Sequence, residues 1–336
     1  MSTLMSSVDA IGELWSYWST VADEIAVGLA AGGVPPHLVE MIATKVKAIH
    51  PELEWELGPG RRRAHAFCLS GTGDPLLRVV AERWKHRAPR NDPDWEFHAS
   101  RQRTGVSGMM LNLGDAHVEI DTIQVRITED RSQELLHLEV FDPSFVGAEE
   151  EQNVRVAFLA LDSTLGEDGV QRWIGAVELA SAPLEGSVTF AELPALVDAF
   201  ELEATGERWA VLEGERDGEP VIVSRNLALK RIDHLLLDLL LEIDVPLAEP
   251  DPHGLATTAE AARLQTMEDE LLEALGDDAV LVARETCAGH RTLLLHAMEG
   301  GPVAGAVQRW GARHASYDIG ARVELDPRWD VLHRWG

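Results

Sequence analysis

Apolar positions recur along this chain in two rhythms. From Ser7 to Ala31, the residues Ile11, Leu14, Trp15, Trp18, Val21, Ile25 and Leu29 fall on one stripe at helical spacing, and Gly32-Gly33 stops the run. Pro35-Pro36 opens a second helix, with Leu38, Ile42, Val46 and Ile49 on its inner face and Pro51 closing it. The period then shortens to two. "LEWEL" and "HAFCLS" read as strands around the turn "GPGRRR". A helix follows from Asp74 to Arg87, capped by Asp74, and "DPDWEFHAS" returns as a strand. The middle reads as strand-rich. "AHVEIDTIQVRI" and "QELLHLEVF" alternate and pair, and "NVRVAFLAL" makes a further strand that Asp162 or Ser163 ends, capping a short helix. A strand "IGAVELA" and a helix around "FAELPALVDAFELE" complete this part.

The pattern changes after Glu203. "RWAVLEGE" and "EPVIVS" flank Arg216-Asp217-Gly218, a hairpin signal. Then come a strand (235–245), a helix (257–275), two strands (279–286 and 290–298), a helix (302–313) and a strand (317–325). That is the split βαβ order of ferredoxin-like domains. Thr257 and Glu260 suit a capping box for the first of these helices. The expected fold is therefore α+β: a ferredoxin-like C-terminal domain preceded by an α+β region with two leading helices. Three parts are expected: 1–105, a helical hairpin with a strand-strand-helix-strand unit; 106–204, strand-rich and packed with the first; and 205–336. A weak internal repeat joins the ends, since "DPLLRVVAERW" with a later "DPDW" parallels "GPVAGAVQRW" with a later "DPRW".

Composition sets the class. The chain has 336 residues and is 45% hydrophobic, enough for a sizeable core. Its longest apolar candidate, "LLLDLLLEIDV", is interrupted by Asp238 and Glu242, so no membrane span is expected. The start lacks the basic and apolar regions of a signal peptide, and Cys68 and Cys287 lie far apart in no metal spacing; the expectation is a reduced, cytoplasmic protein. The formal net charge is −28, which disfavours nucleic acid and anionic membranes. The charge is segregated. Residues 61–103 hold ten Lys or Arg against five acids, a net +5 that leaves −33 on the remainder.

The segment 205–336 resembles the bacterial domain-of-unknown-function family numbered 695. The stretches that carry the resemblance are "RWAVLEGERDGEPVIVSRN", "HGLATTAEAARLQTMEDELLEAL", "VLVARETCAGHRTLLLHA" and "DPRWDVLH". The upstream "FLALDSTLGEDGVQRWIG" is similar to a segment that often precedes this domain. The resemblance implies a fold and no activity. A looser likeness to the ferredoxin-like inhibitors of ribonuclease E implies binding to an enzyme. One departure is His296, where the family pattern implies an aromatic residue.

Three groups of residues could carry chemistry. Asp162, Glu167 and Asp168 could form a divalent-metal or general acid–base cluster. The local alternative is a strand end and helix cap, with the acids at the helix N-terminus. Cys287 lies three residues before His290 and could form a nucleophile–base pair, though the sequence supplies no third group to orient the histidine. The basic stretch offers Arg61, Arg62, Arg63, Arg83, Lys85, Arg87 and Arg90 as an interaction patch. Three readings of it stand: a solvated face, a docking site for an acidic protein surface in cis or in trans, or a nucleic-acid site using Trp84 and Trp95. No hydrolase elbow, dinucleotide or P-loop motif occurs, and no cofactor, metal or catalytic set is assigned. The expectation is a non-catalytic protein-interaction module of inhibitor, chaperone-like or immunity type. Its partner is another protein or a second copy of the chain. The alternative is a hydrolase using the 162–168 acids or the Cys287/His290 pair.

Overall fold

The computed structural model describes residues 2–113, 116–204, 206, 208–300 and 302–335. It is α+β and divides into two compact units, Met1–Ala204 and Thr205–Gly336. Among the described residues no helix is long and apolar enough to cross a membrane.

The first unit opens with α1 (Ser2–Ala30) and α2 (Pro36–Ile49). Their stripes are buried as the spacing predicts: Ile11, Leu14, Trp18 and Ile25 on α1, and Leu38, Ile42, Val46 and Ile49 on α2. These helices share a core with β1 (Glu54–Pro59), β2 (His65–Ser70), α3 (Pro75–His86) and β3 (Trp95–His98), where Phe67, Trp84 and Trp95 are buried. β1 and β2 are antiparallel, and β3 joins β2 in parallel after the α3 crossover. Asp74 caps α3 by accepting from the amides of Leu76 and Leu77, at 2.8 and 3.0 Å.

A second apolar cluster belongs to β4 (Met110–Leu113), β5 (Ala116–Glu119), β6 (Gln124–Asp130), β7 (Leu135–Phe141), α4 (Glu150–Trp173), β8 (Ile174–Leu179), β9 (Val188–Thr189) and α5 (Leu193–Glu203). The larger sheet runs β8-β7-β6-β9. Two expectations fail here. "AHVEIDTIQVRI" is broken by a 3-10 turn at Ile120–Thr122, which lets Ile120, Ile123 and Val125 all enter one core. "NVRVAFLAL" is not a strand; it lies inside α4. Val156, Ala157, Ala160, Leu161 and Thr164 are buried at helical spacing, while Val154 and Phe158 are exposed. A short apolar run carries no decisive period, and the contacts of its neighbours chose the helix.

Among its described residues the second unit is one six-stranded antiparallel sheet with two α-helices. Its elements are β10 (Trp209–Arg216), β11 (Glu219–Asn226), β12 (Leu239–Pro246), α6 (Thr258–Leu275), β13 (Ala279–Cys287), β14 (His290–Ala297), α7 (Val303–Arg313) and β15 (Gly320–Leu325). The strand order is β10-β11-β13-β14-β12-β15. Leu241, Ile243, Leu281, Leu293 and Leu295 meet α6 and α7 on one face. Leu240, Val282, Leu294 and Trp329 form a smaller cluster elsewhere. The expected capping box is half formed: Thr257 accepts from the Glu260 amide, but the buried Glu260 carboxylate takes the amides of Ala248 and Glu249, at 2.6 and 2.8 Å. The two repeat-like segments share their element order but not their pairing. β3 lies directly beside β2, whereas β12 intervenes between β14 and β15.

Candidate functional site

The turn "GPGRRR" is tight. A Cβ on Gly60 would stand 2.6 Å from the Arg63 carbonyl oxygen and 2.9 Å from that of His65, so only glycine fits. The turn aims two backbone amides at β3. The Arg61 and Arg62 amides donate to the two carboxylate oxygens of Glu96, at 2.5 and 3.0 Å. His98 Nε2 lies 3.2 Å from the same carboxylate. Partial burial pushes the Glu96 carboxyl up, but the two amides and His98 outweigh it, and its pKa lies below the ordinary carboxylate value.

The C-terminal end of α3 approaches the same place. Its last turn carries Arg83, Lys85 and His86, the sign that a helix C-terminus favours. The following loop adds Arg90 and Asp92. The result is a concavity of about 840 Å³ whose lining includes Arg61, Arg62, Arg63, Lys85, His86, Arg90, Asp92, Glu96 and His98. Five permanent cations thus face two carboxylates across one basin. Of the seven patch residues, Arg83 and Arg87 do not line it. Arg83 is half-buried on α3, and Arg87 Nη1 instead donates to the Val8 carbonyl at 3.0 Å. Trp84 and Trp95 are buried, so neither presents an open ring face to a base. Sequence reasoning missed Glu96, because a single acid inside a basic stretch lowers the charge count without showing that it sits on the arginine turn.

The acids 162–168 have a different fate. Asp162 does not cap a helix, as the sequence suggested; it lies in the interior of α4. α4 breaks instead at Gly166, with φ 76° and ψ 157°, where residues 101–103 cross against it. A Cβ there would stand 2.8 Å from the Arg103 nitrogen. This crossing delivers Glu167 into a buried seam. Its carboxylate accepts from Ser70 Oγ at 2.6 Å and from the Arg101 amide at 3.1 Å, and it lies 3.8 Å from Arg78 Nη1 and 3.5 Å from Arg101 Nη1. Asp168 pairs with the other Arg78 terminal nitrogen. Arg78 also donates to the Ala99 carbonyl at 2.5 Å. The two acids are thus ion-paired and hydrogen-bonded within the unit. Burial, and then the charge of Glu167, push the Asp162 carboxyl up to about 6, against the pull of Arg101 and Arg78. Among the described residues no three His, Cys, Asp or Glu side chains converge to hold a metal ion.

Cys287 and His290 face each other across the β13–β14 hairpin. Asp244 on β12 stands beside the histidine, with Oδ2 at 2.9 Å from Nδ1. No local spacing could reveal that carboxylate, because sheet pairing brings it from a distant strand. His296 takes an aromatic role. It is fully buried and stacks on Trp329 with ring centroids 4.1 Å apart and 11° between planes, and its Nδ1 lies 3.1 Å from the Leu237 carbonyl.

Residues 207–335 match the family of unknown function DUF695, as the quoted stretches imply. Comparison with curated proteins and with solved structures finds no match.

Proposed function

We propose that this chain is a non-catalytic, cytoplasmic protein-interaction module of inhibitor, chaperone-like or immunity type, and that the basin at Arg61, Arg62, Arg63, Lys85 and Arg90 docks an acidic segment of a protein partner. One observation carries this reading. The arginine turn already holds a carboxylate, that of Glu96, on two backbone amides, inside a basin with an excess of cations. The net −33 outside residues 61–103 argues against nucleic acid as the ligand, because a long polyanion would meet repulsion beyond the basin.

The architecture proposed for the C-terminal unit is ferredoxin-like. Its support is the spatial order β13-β14-β12-β15 with α6 and α7 as the two crossovers, to which the β10–β11 hairpin adds at the β13 side. The division at about residue 105 is supported by two separate apolar clusters in the first unit, one built from residues 11–99 and one from 106–200.

The test uses a fluorescent polyglutamate peptide and a single-stranded oligonucleotide of equal charge, titrated into the full chain. Peptide binding that weakens with salt and vanishes when Arg61, Arg62 and Arg63 are replaced by Glu supports the proposal. Glu96→Gln removes the internal competitor's charge and should tighten peptide binding. Preference for the oligonucleotide, lost in the triple variant, would replace the reading with a nucleic-acid site. Equal, negligible binding of both probes would leave the basin a solvated face.

A further inference from the structure

The two edges of the six-stranded sheet are built differently. On β10, Leu212 pairs with Val223 of the smaller cluster, so Val211, Glu213 and Glu215 point to the face that α6 and α7 cover. Two carboxylates on that face protect the edge, since a strand added there would bury them. On β15, Val323 pairs with Leu241 and Ala321 with Ile243, so Ala321, Val323 and Leu325 share the helix face. No proline, lysine or register shift interrupts this strand. Val323 and Leu325 are 59% and 53% exposed. Between them and α7 runs an apolar groove of about 590 Å³, lined by Leu241, Val303, Val307, Gly311, Ala321 and Val323 among others.

We propose that β15 is a self-association edge, on which the β15 of a second copy adds antiparallel and continues the sheet through the pair. Symmetry and pleat restrict the register, and the charges select it. An antiparallel pair related by a two-fold axis normal to the sheet must keep facing residues on the same face, so the axis passes through one residue. With the axis at Val323, Arg322 faces Glu324 of the second copy, and Glu324 faces Arg322 of the second copy. Both cross-strand pairs are then of opposite charge, and they add to the pairs that Arg322 makes with Glu242 and Glu324 with Arg334 inside each copy. With the axis at Arg322 or at Glu324, a charge would face its own kind. The same register sets Leu325 of the second copy against Ala321, whose small side chain leaves the groove mouth open to receive it. Strand sequence, edge exposure and groove thus suit one occupant, a second copy of this chain.

Light scattering and sedimentation equilibrium on the full chain test this. The wild type should be a dimer, and Val323→Glu should be a monomer with an unchanged circular-dichroism spectrum and a melting midpoint that no longer depends on concentration. Val211→Glu, on the opposite edge, should remain a dimer. Glu324→Arg, which leaves the Arg322–Glu242 pair in place, should weaken the dimer about ten-fold, from two like-charged cross-strand pairs. In a Cys287→Ser background, Val323→Cys should form an intermolecular disulfide on oxidation, because a residue on the axis faces its own copy. Reversal of the basin arginines lies in the other unit and should leave the dimer intact, so failure of the docking reading does not count against this one. A wild type that stays monomeric at its highest soluble concentration overturns the proposal. So does a dimer that survives Val323→Glu.

Discussion

The N-terminal and C-terminal units each draw an ionisable side chain out of water, Asp162 in part and His296 completely, and pH acts on the two with opposite sign. Asp162 on α4 is an acid held above its ordinary value of 3.8, at about 6, by burial and by Glu167. His296 on β14 is a base held below its ordinary 6.5, at about 4, by burial, with Asp326 pulling the other way. Burial disfavours whichever form is charged, so one cause raises an acid and lowers a base. Asp162 binds its proton more tightly in the folded chain. Its favourable contribution is complete below about pH 3.8 and is lost as pH rises through 6. His296 binds its proton less tightly in the folded chain, so its contribution is complete above pH 6.5 and is lost as pH falls through 4. The units also treat their burials differently. The first sets its acid within the field of Arg101, Arg78 and Glu167, and the second stacks a ring on tryptophan.

The sharpest way to break this comparison is to remove the centre of the seam. Arg78 is 1% exposed, and Arg78→Met would take one of two arginines from the buried Glu167 carboxylate, leaving Arg101 at 3.5 Å beside the Ser70 hydroxyl. A loss of about 3–5 kcal/mol is expected, the usual cost of orphaning one member of a buried pair. Hydrogen exchange read by mass spectrometry should place it in the first unit, with peptides from β12 and β14 unchanged. A loss below about 1 kcal/mol would show that Arg101 alone balances Glu167.

Gly166→Ala attacks the crossing that delivers Glu167. Its backbone conformation is almost confined to glycine, and the new Cβ would press on the Arg103 nitrogen. Denaturant unfolding should show a loss of about 2–3 kcal/mol. A neutral outcome would mean that residues 101–103 shift freely, and that the seam tolerates looser geometry.

The histidine gives a smaller and pH-dependent effect. Between pH 7 and pH 4 the titration of His296 should remove roughly 2 kcal/mol from the C-terminal unit. His296→Phe keeps a ring against Trp329 and should flatten that part of the profile, read as exchange protection in β12 and β14. An unchanged slope would assign the acid sensitivity to a group other than His296.

Asp162→Asn should have the smallest effect and the opposite sign. It removes a charge that costs stability above pH 6, so it should stabilise the first unit by about 1 kcal/mol at pH 7 after allowance for solvent screening. Below pH 4, variant and wild type should coincide. Destabilisation at pH 7 would show that the carboxylate holds a partner that an amide cannot.

Much of the fold was legible because it is local. The α1 and α2 stripes, the Asp74 cap and the turn at Asp217-Gly218 each depend on residues within a few positions. Asp217 and Gly218 take φ values of 55° and 85°, which a two-residue hairpin of this kind needs. The arginine turn and the end of α3 were legible for the same reason: both lie in one basic stretch, and one crossover folds them together. The failures share another cause. The run "NVRVAFLAL" fits a strand and a helix nearly equally by composition, and only the surfaces around Val156, Ala160 and Leu161 selected the helix.

The sequence by itself determined the class of the protein, its segregation of charge, the helices with full stripes and the C-terminal order of elements. These follow from period, capping and turn chemistry, which act over a few residues. Only the tertiary structure decided that Glu167 meets Ser70 and Arg78, that Glu96 sits on the arginine turn, that Asp244 stands beside His290 and that β15 is left as an open edge. Each of those depends on which distant segments pack together. A charged side chain reads the same in sequence whether water, an arginine or a backbone amide will surround it, and the surroundings set its chemistry.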